Sequence, residues 1–146
     1  KYPEPPIFGR TAEEAGVIMR VICEFEAYAE DHLMKIVRAL FEGGVNETNI
    51  GELTRAMLAV ASEARTIEGR LSKGDWIVGD AYSAVDMVVF PAIQVLLRAL
   101  KKPGAGVLAS RFLPVEVNYP ALGRWLDRVA ALPGYGKTRP PHWHTS

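Results

Sequence analysis

Cysteine is almost missing from this sequence: Cys23 is the only one in 146 residues. A single thiol forms no internal disulfide, which fits a reducing compartment and a cytoplasmic protein. Histidine is scarce too, at three, and no Cys, His and carboxylate set has metal-ligand spacing, so no metal is expected. An excess of one charge is also lacking, since 17 Lys+Arg balance 17 Asp+Glu. Without a basic run, nucleic acid is not an expected partner. Long apolar runs are lacking as well. The longest apolar region, Ala84 to Leu100, is interrupted by Asp86, Gln94 and Arg98, which makes it a poor membrane span. The opening "KYPEPPIFGR" is no signal peptide. There is no short-period repeat and no series of short alternating segments, so a sheet is not expected. A start at Lys1 without methionine fits a processed product, an expressed segment or a fragment of something longer.

What is present is helical periodicity in a chain long enough for one domain. At 16.0 kDa, about two-thirds of the extended surface is buried on folding, which suffices for a core without staples. "YPEPPIFG" reads as an extended lead-in, residues 1–10. Thr11 and Glu14 have capping-box spacing. Ile18, Ile22, Phe25, Ala29, Ile36 and Leu40 then form a helical stripe, which predicts one helix from Thr11 to Phe41 stopped by Gly43 and Gly44. A second helix is signalled by Asn49 as cap with Glu52 as its acidic partner. Its stripe is Ile50, Leu53, Met57, Val60, Ala64, Ile67 and Leu71. Residues 103–118 read as a long connection with a short turn near Leu108 to Phe112. A further helix is expected from about Pro120 to Leu132, with Leu122, Trp125, Leu126, Val129 and Leu132 inward. The helical body spans residues 11–134. The tail, 135–146, is expected to pack on it through its aromatic side chains. The fold class is all-α, an orthogonal helical bundle.

The stretch "GDAYSAVDMVVFP" carries Asp86 inside an apolar run. Asp86 stands three residues after Ser83, so the two form a capping box at the start of a helix apolar on nearly every side, and such a helix belongs in the centre. Tyr82 and Met87 have the spacing of a hydrophobic staple. Pro91 lies well inside this helix and removes one backbone bond. No paired carboxylate or nucleophile stands at helical spacing from Asp86, so the reading is structural rather than catalytic.

Other candidates reduce in the same way. Cys23 has no adjacent base in sequence and reads as a packed thiol rather than a nucleophile. His32 reads as an ordinary polar-face or partly buried residue. His142 and His144 flank Trp143 without a local Cys or carboxylate cluster. Asp75, Asp80 and Glu68 superficially suggest an acid-base pair, but turn aspartates are the commoner origin. Neither "SKGD" nor "KKPGAG" has phosphate-loop form. Arg65, Arg70 and Lys73 are too sparse for a nucleic-acid stripe.

"WIVGDAYSAVDMVVFP" resembles the central helix of the glutathione transferase C-terminal domain, with its tight turn, Ser/Thr-x-x-Asp and apolar helix. "YPALGRWLDRVAALPG" resembles the following helix, and "YPEPPIFGRTAEEA" the linker and first helix after the thioredoxin-like domain. The resemblance implies that glutathione is the co-substrate of an intact parent and is held by a thioredoxin-like domain preceding Lys1. That domain would supply the thiol-activating Tyr, Ser or Cys. No thioredoxin-type proline motif, C-x-x-C or early Tyr/Ser site is found in these residues, so no catalytic or cofactor-binding residue is assigned. The resemblance further implies a homodimer and a role in walling the electrophile pocket, with Arg20, Glu24 and Tyr28 on the first helix as pocket-side candidates. The same fold also serves as a non-catalytic interaction domain, and that reading stands as the alternative.

Overall fold

The computed structural model describes residues 6–138 and 140. Those residues contain helices and no strand, an orthogonal helical bundle. His142, Trp143 and His144 lie outside them, and with them the part of the tail expected to pack through Trp143.

The lead-in enters the first helix, α1 (Ala12–Phe25), through a tight turn. Gly9 sits there at φ 86°, and a Cβ on it would come within 2.6 Å of the Glu14 Cβ. Glycine is therefore required. Thr11 caps α1, its hydroxyl accepting from the Glu14 amide at 3.1 Å. The Glu14 carboxylate reaches past Thr11 to the Arg10 amide, so the box is shifted by one residue. The helix then runs on to Gly43, but not as one regular element. A π turn, Glu26–Glu30, precedes α2 (Asp31–Arg38), and a second, Ala39–Gly43, follows it. Wide turns of this kind hold an extra residue within the helix. The predicted stripe of Ile18, Ile22, Phe25, Ala29, Ile36 and Leu40 is buried throughout.

Asn49 does not cap α3 (Ile50–Leu71) with its side chain. Its Oδ1 accepts from the Asn46 amide and its Nδ2 donates to the Gly44 carbonyl. The capping acceptor is Asn46, whose Oδ1 takes the amides of Thr48 and Asn49. Glu52 is not the acidic partner of a box either. It pairs with Lys35 on α2 at 2.6 Å, an interaction between helices that no local spacing reveals. The stripe of α3 holds otherwise, with Leu53, Met57, Val60, Ala64, Ile67 and Leu71 buried.

The central helix, α4 (Ala84–Ala99), starts at the predicted Ser83 cap with the reciprocal box formed. Asp86 is fully buried. Its Oδ2 accepts from the Ser83 amide at 2.8 Å and the Ser83 hydroxyl at 3.1 Å. Its Oδ1 accepts from the Trp125 indole at 2.8 Å and the Ile77 amide at 3.3 Å. Burial pushes the carboxyl above its ordinary range, against the pull of these donors. The first free amide of the helix, on Ala84, donates to the Ile7 carbonyl at 2.8 Å. Thus the lead-in itself completes the cap.

Two expectations about α4 are corrected. Tyr82 meets Trp76 edge-on at 5.4 Å, while Met87 stays 49% exposed, so the staple is not what covers the cap. Nor is α4 buried on every side. Val85, Val89, Ile93 and Leu96 face the core, whereas Met87 and Pro91 face outward. Pro91 thus sits on the exposed side, and the helix continues through it.

The connection contains two short turns of helix, α5 (Gly106–Ala109) and α6 (Val115–Asn118). The Leu113–Pro114 peptide between them is cis. α7 (Pro120–Ala130) buries Leu122, Trp125, Leu126 and Val129 as expected, and a last turn, α8 (Tyr135–Thr138), follows. The N-terminus of α7 is capped from α3: the Glu68 carboxylate accepts from the amides of Ala121 and Leu122 at 2.9 and 2.7 Å. Asp75 pairs with Arg128 at 2.6 Å, and the same guanidinium donates to the Asp75 carbonyl. Glu68 and Asp75 are thus each committed to a structural partner.

Replacing Asp86 with Ala strands four donors, most of them buried, and we expect it to lower the unfolding free energy by about 3 kcal/mol. Trp125→Phe removes one donor only and should cost about 1 kcal/mol. Glu68→Ala should cost about 1 to 2 kcal/mol as a lost cap. Denaturant melts of the three variants give the ordering, and a loss below about 0.5 kcal/mol for Asp86→Ala would show the cap to be dispensable.

Candidate functional site

Two surfaces bear on function. The first is the outer side of α1 and its π turn. Stripe geometry turns residues 100° apart, so a helix that buries Val21, Ile22 and Phe25 turns Cys23 outward. Cys23 is exposed, which corrects the reading of a packed thiol. Glu24 lies beside α3 and accepts ion pairs from two sides, from Arg20 at 3.6 Å and from Arg70 at 3.3 Å. Arg20 and Glu24 are therefore brought together, with Arg70 as a member that local sequence did not suggest. Tyr28 is apart from them, on the π turn and 63% exposed. Glu63 on α3 joins the cluster electrostatically. Its carboxyl is pushed up by burial first and by the Glu24 charge second, with Arg70 pulling the other way.

The second surface is the outward side of α4. Tyr82, Met87, Phe90, Pro91, Gln94 and Tyr135 line a cleft of about 420 Å³. The Phe90 ring meets Trp125 edge-on at 5.7 Å below and Tyr135 at 5.3 Å to the side. The wall is mostly apolar, and Asp86 at its floor is already committed to four donors. The cleft can take an apolar surface. The lead-in reaches the N-terminal end of the same helix through Ile7. Among the described residues no group of three His, Cys, Asp or Glu stands close enough to hold a metal ion. No described helix is long and apolar enough to cross a membrane.

The sequence pattern of the family described as "Glutathione S-transferase, C-terminal domain" matches residues 29–133. The chain belongs to that family. Two solved structures share its fold. One is a glutathione S-transferase of class Gtt2 from Vibrio parahaemolyticus, at TM-score 0.69 and 20% identity, covering 92% of this chain and 56% of its own. The other is a glutathione S-transferase from Xanthobacter autotrophicus Py2, at TM-score 0.70 and 18% identity, covering 90% and 58%. This chain therefore spans little more than half the length of either. No curated protein matches. Within the glutathione S-transferase C-terminal fold, the Ser83–Asp86 cap and α4 form the centre. Sequence reasoning missed the outward cleft because a uniformly apolar helix carries no sign of which side is left open.

The Glu63 carboxyl binds a proton more readily folded than unfolded, so its ionisation opposes folding. That cost is absent below its ordinary value of 4.5 and grows as pH rises through the raised value. Glu63→Gln is accordingly expected to stabilise the chain at neutral pH and to leave it unchanged near pH 4. Unfolding free energies measured at both pH values check this, and an equal effect at the two would show that the charge is not the cause.

Proposed function

We propose that this chain is the helical domain of a glutathione transferase, with the outward face of α4 as the seat of a thioredoxin-like domain. The observation that supports this most is the position of that face. The most apolar helix of the chain exposes Met87 and Pro91 along an apolar cleft, beside the point where the lead-in docks. An apolar face left open by the described residues is the usual mark of a contact surface. In the intact protein the thioredoxin-like domain holds glutathione and stabilises its thiolate, which attacks an electrophile. This chain contributes shape and positioning rather than proton transfer.

Arg20, Glu24 and Tyr28 are the proposed pocket wall. The exposed Tyr28 phenol is the member free to meet an acceptor, while Glu24, between Arg20 and Arg70, holds the local charge near balance. A cytoplasmic homodimer is part of the same proposal. Apolar side chains exposed on the bundle, such as Met19 and Leu58, supply contact area for it.

The test is calorimetric titration of the 146-residue chain with glutathione, run beside a conjugation assay with an aryl halide. We expect no saturable binding at about 1 mM ligand and no rate above the uncatalysed one. Light scattering over a concentration series should show association. Micromolar binding or clear turnover would place the active centre within these helices and overturn the division of labour. A strictly monomeric chain would remove the dimer from the proposal.

A further inference from the structure

The lead-in and the outward cleft of α4 meet at one side chain. Pro6, Gly9 and Arg10 face Val78, Gly79 and Tyr82 across a crevice of about 80 Å³. Tyr82 also lines the cleft of about 420 Å³. It therefore stands as a partition between the two spaces, held edge-on against Trp76 at 5.4 Å. While the lead-in is docked, it backs this partition from the crevice side.

The docking is light. The Ala84 amide donates to the Ile7 carbonyl at 2.8 Å, and the Gly9 amide folds the lead-in back onto the Pro6 carbonyl at 2.9 Å. Ile7 is half-buried and Phe8 is 53% exposed, so this segment covers little apolar area. The Ser83–Asp86 box does not use the Ala84 amide. Its bonds therefore stay intact when the lead-in leaves. A segment held by few buried contacts opens at a lower free energy than the core it rests on. Gly9, at φ 86°, is the point where the chain turns from the lead-in toward α1, and a turn at that angle needs the freedom of glycine.

We propose that residues 6–10 are a strap that controls the outward cleft of α4. Docked, the strap fixes Tyr82 as one end wall of the cleft. Released, it leaves the crevice empty, Tyr82 turns into that space, and the cleft widens at the N-terminal end of the helix. A pull on the lead-in is thereby transmitted to the outward face of α4. By the same linkage, an apolar body in the widened cleft favours the released strap. Both ends of this coupling lie within the chain, so it does not rest on the reading of that face as a domain seat.

Amide hydrogen exchange of the full chain tests the release. The Ala84 and Gly9 amides should open together and be protected about tenfold less than the Ser83 amide, which the box holds. Two substitutions release the strap from opposite sides. Gly9→Ala drives a Cβ to within 2.6 Å of the Glu14 Cβ. Ala84→Pro removes the donor at the first helical position, where proline is tolerated, and the Ser83 backbone before it is already extended. In both variants the methyl resonance of Met87 should shift, while those of Met34 on α2 and Met57 on α3 stay in place. Gly16→Ala, at an exposed position of α1, should leave Met87 unmoved. N-phenyl-1-naphthylamine, a neutral apolar fluorophore, should bind each strap variant about threefold more tightly than the parent chain. Circular dichroism confirms folding, and the exchange pattern of the parent decides alone if neither variant folds. Three results would overturn the proposal: an Ala84 amide as well protected as that of Ser83, an unmoved Met87 in the folded variants, or no gain in fluorophore affinity in them.

Discussion

The buried carboxylate of Asp86 is the constraint on which the rest of this bundle depends. It gathers donors from three places: Ser83 at the start of α4, Ile77 in the preceding loop and Trp125 on α7. A charged group at this depth is costly unless its acceptor sites are filled. Four donors fill them here, and the same bonds hold the loop and α7 in position over the helix start. An apolar residue would ease the burial but leave the Ser83 and Ile77 amides and the Trp125 indole without partners. Satisfied networks of this kind specify one arrangement among many compact ones.

The same device recurs at longer range. Glu68 on α3 serves as the cap of α7, fifty-three residues away in sequence, and Asp75 ties the loop to Arg128. Helix ends leave amides without internal partners, and in this chain carboxylates from other elements meet several of them. Lys35 and Glu52 join α2 to α3 in the same spirit, although an exposed pair of this type contributes little. Orientation of the helices thus rests on buried or half-buried caps, with the apolar core supplying most of the driving force.

This architecture separates two sides of one helix. The inner side of α4 is committed to the core through Val85, Val89, Ile93 and Leu96. The outer side is open and mostly apolar near its N-terminal end, and cationic near its C-terminal end. The one carboxylate of the inner side, Asp86, is committed to four donors. The chain is a member of the glutathione S-transferase C-terminal family, and a role through surfaces and shape is what is proposed for it.

Helix content, the stripes and the Ser83–Asp86 cap were legible in the sequence because each depends on residues three or four apart. At that distance backbone geometry alone brings side chains together. The buried face of α1 and α2, the α3 stripe and the inward residues of α7 follow from the same periodicity. The cap at Asn49 failed because Asn46 takes the amides of Thr48 and Asn49, while the Asn49 side chain turns back to the Asn46 amide and the Gly44 carbonyl. Cys23 was misread because an apolar neighbourhood in sequence is not a buried one when the next residue is turned by 100°. Arg70 beside Glu24, Glu68 beneath α7, Trp125 on Asp86 and the outward cleft of α4 were decided by tertiary structure alone. Their partners lie tens of residues apart, and only the packing angles between helices determine which of them meet.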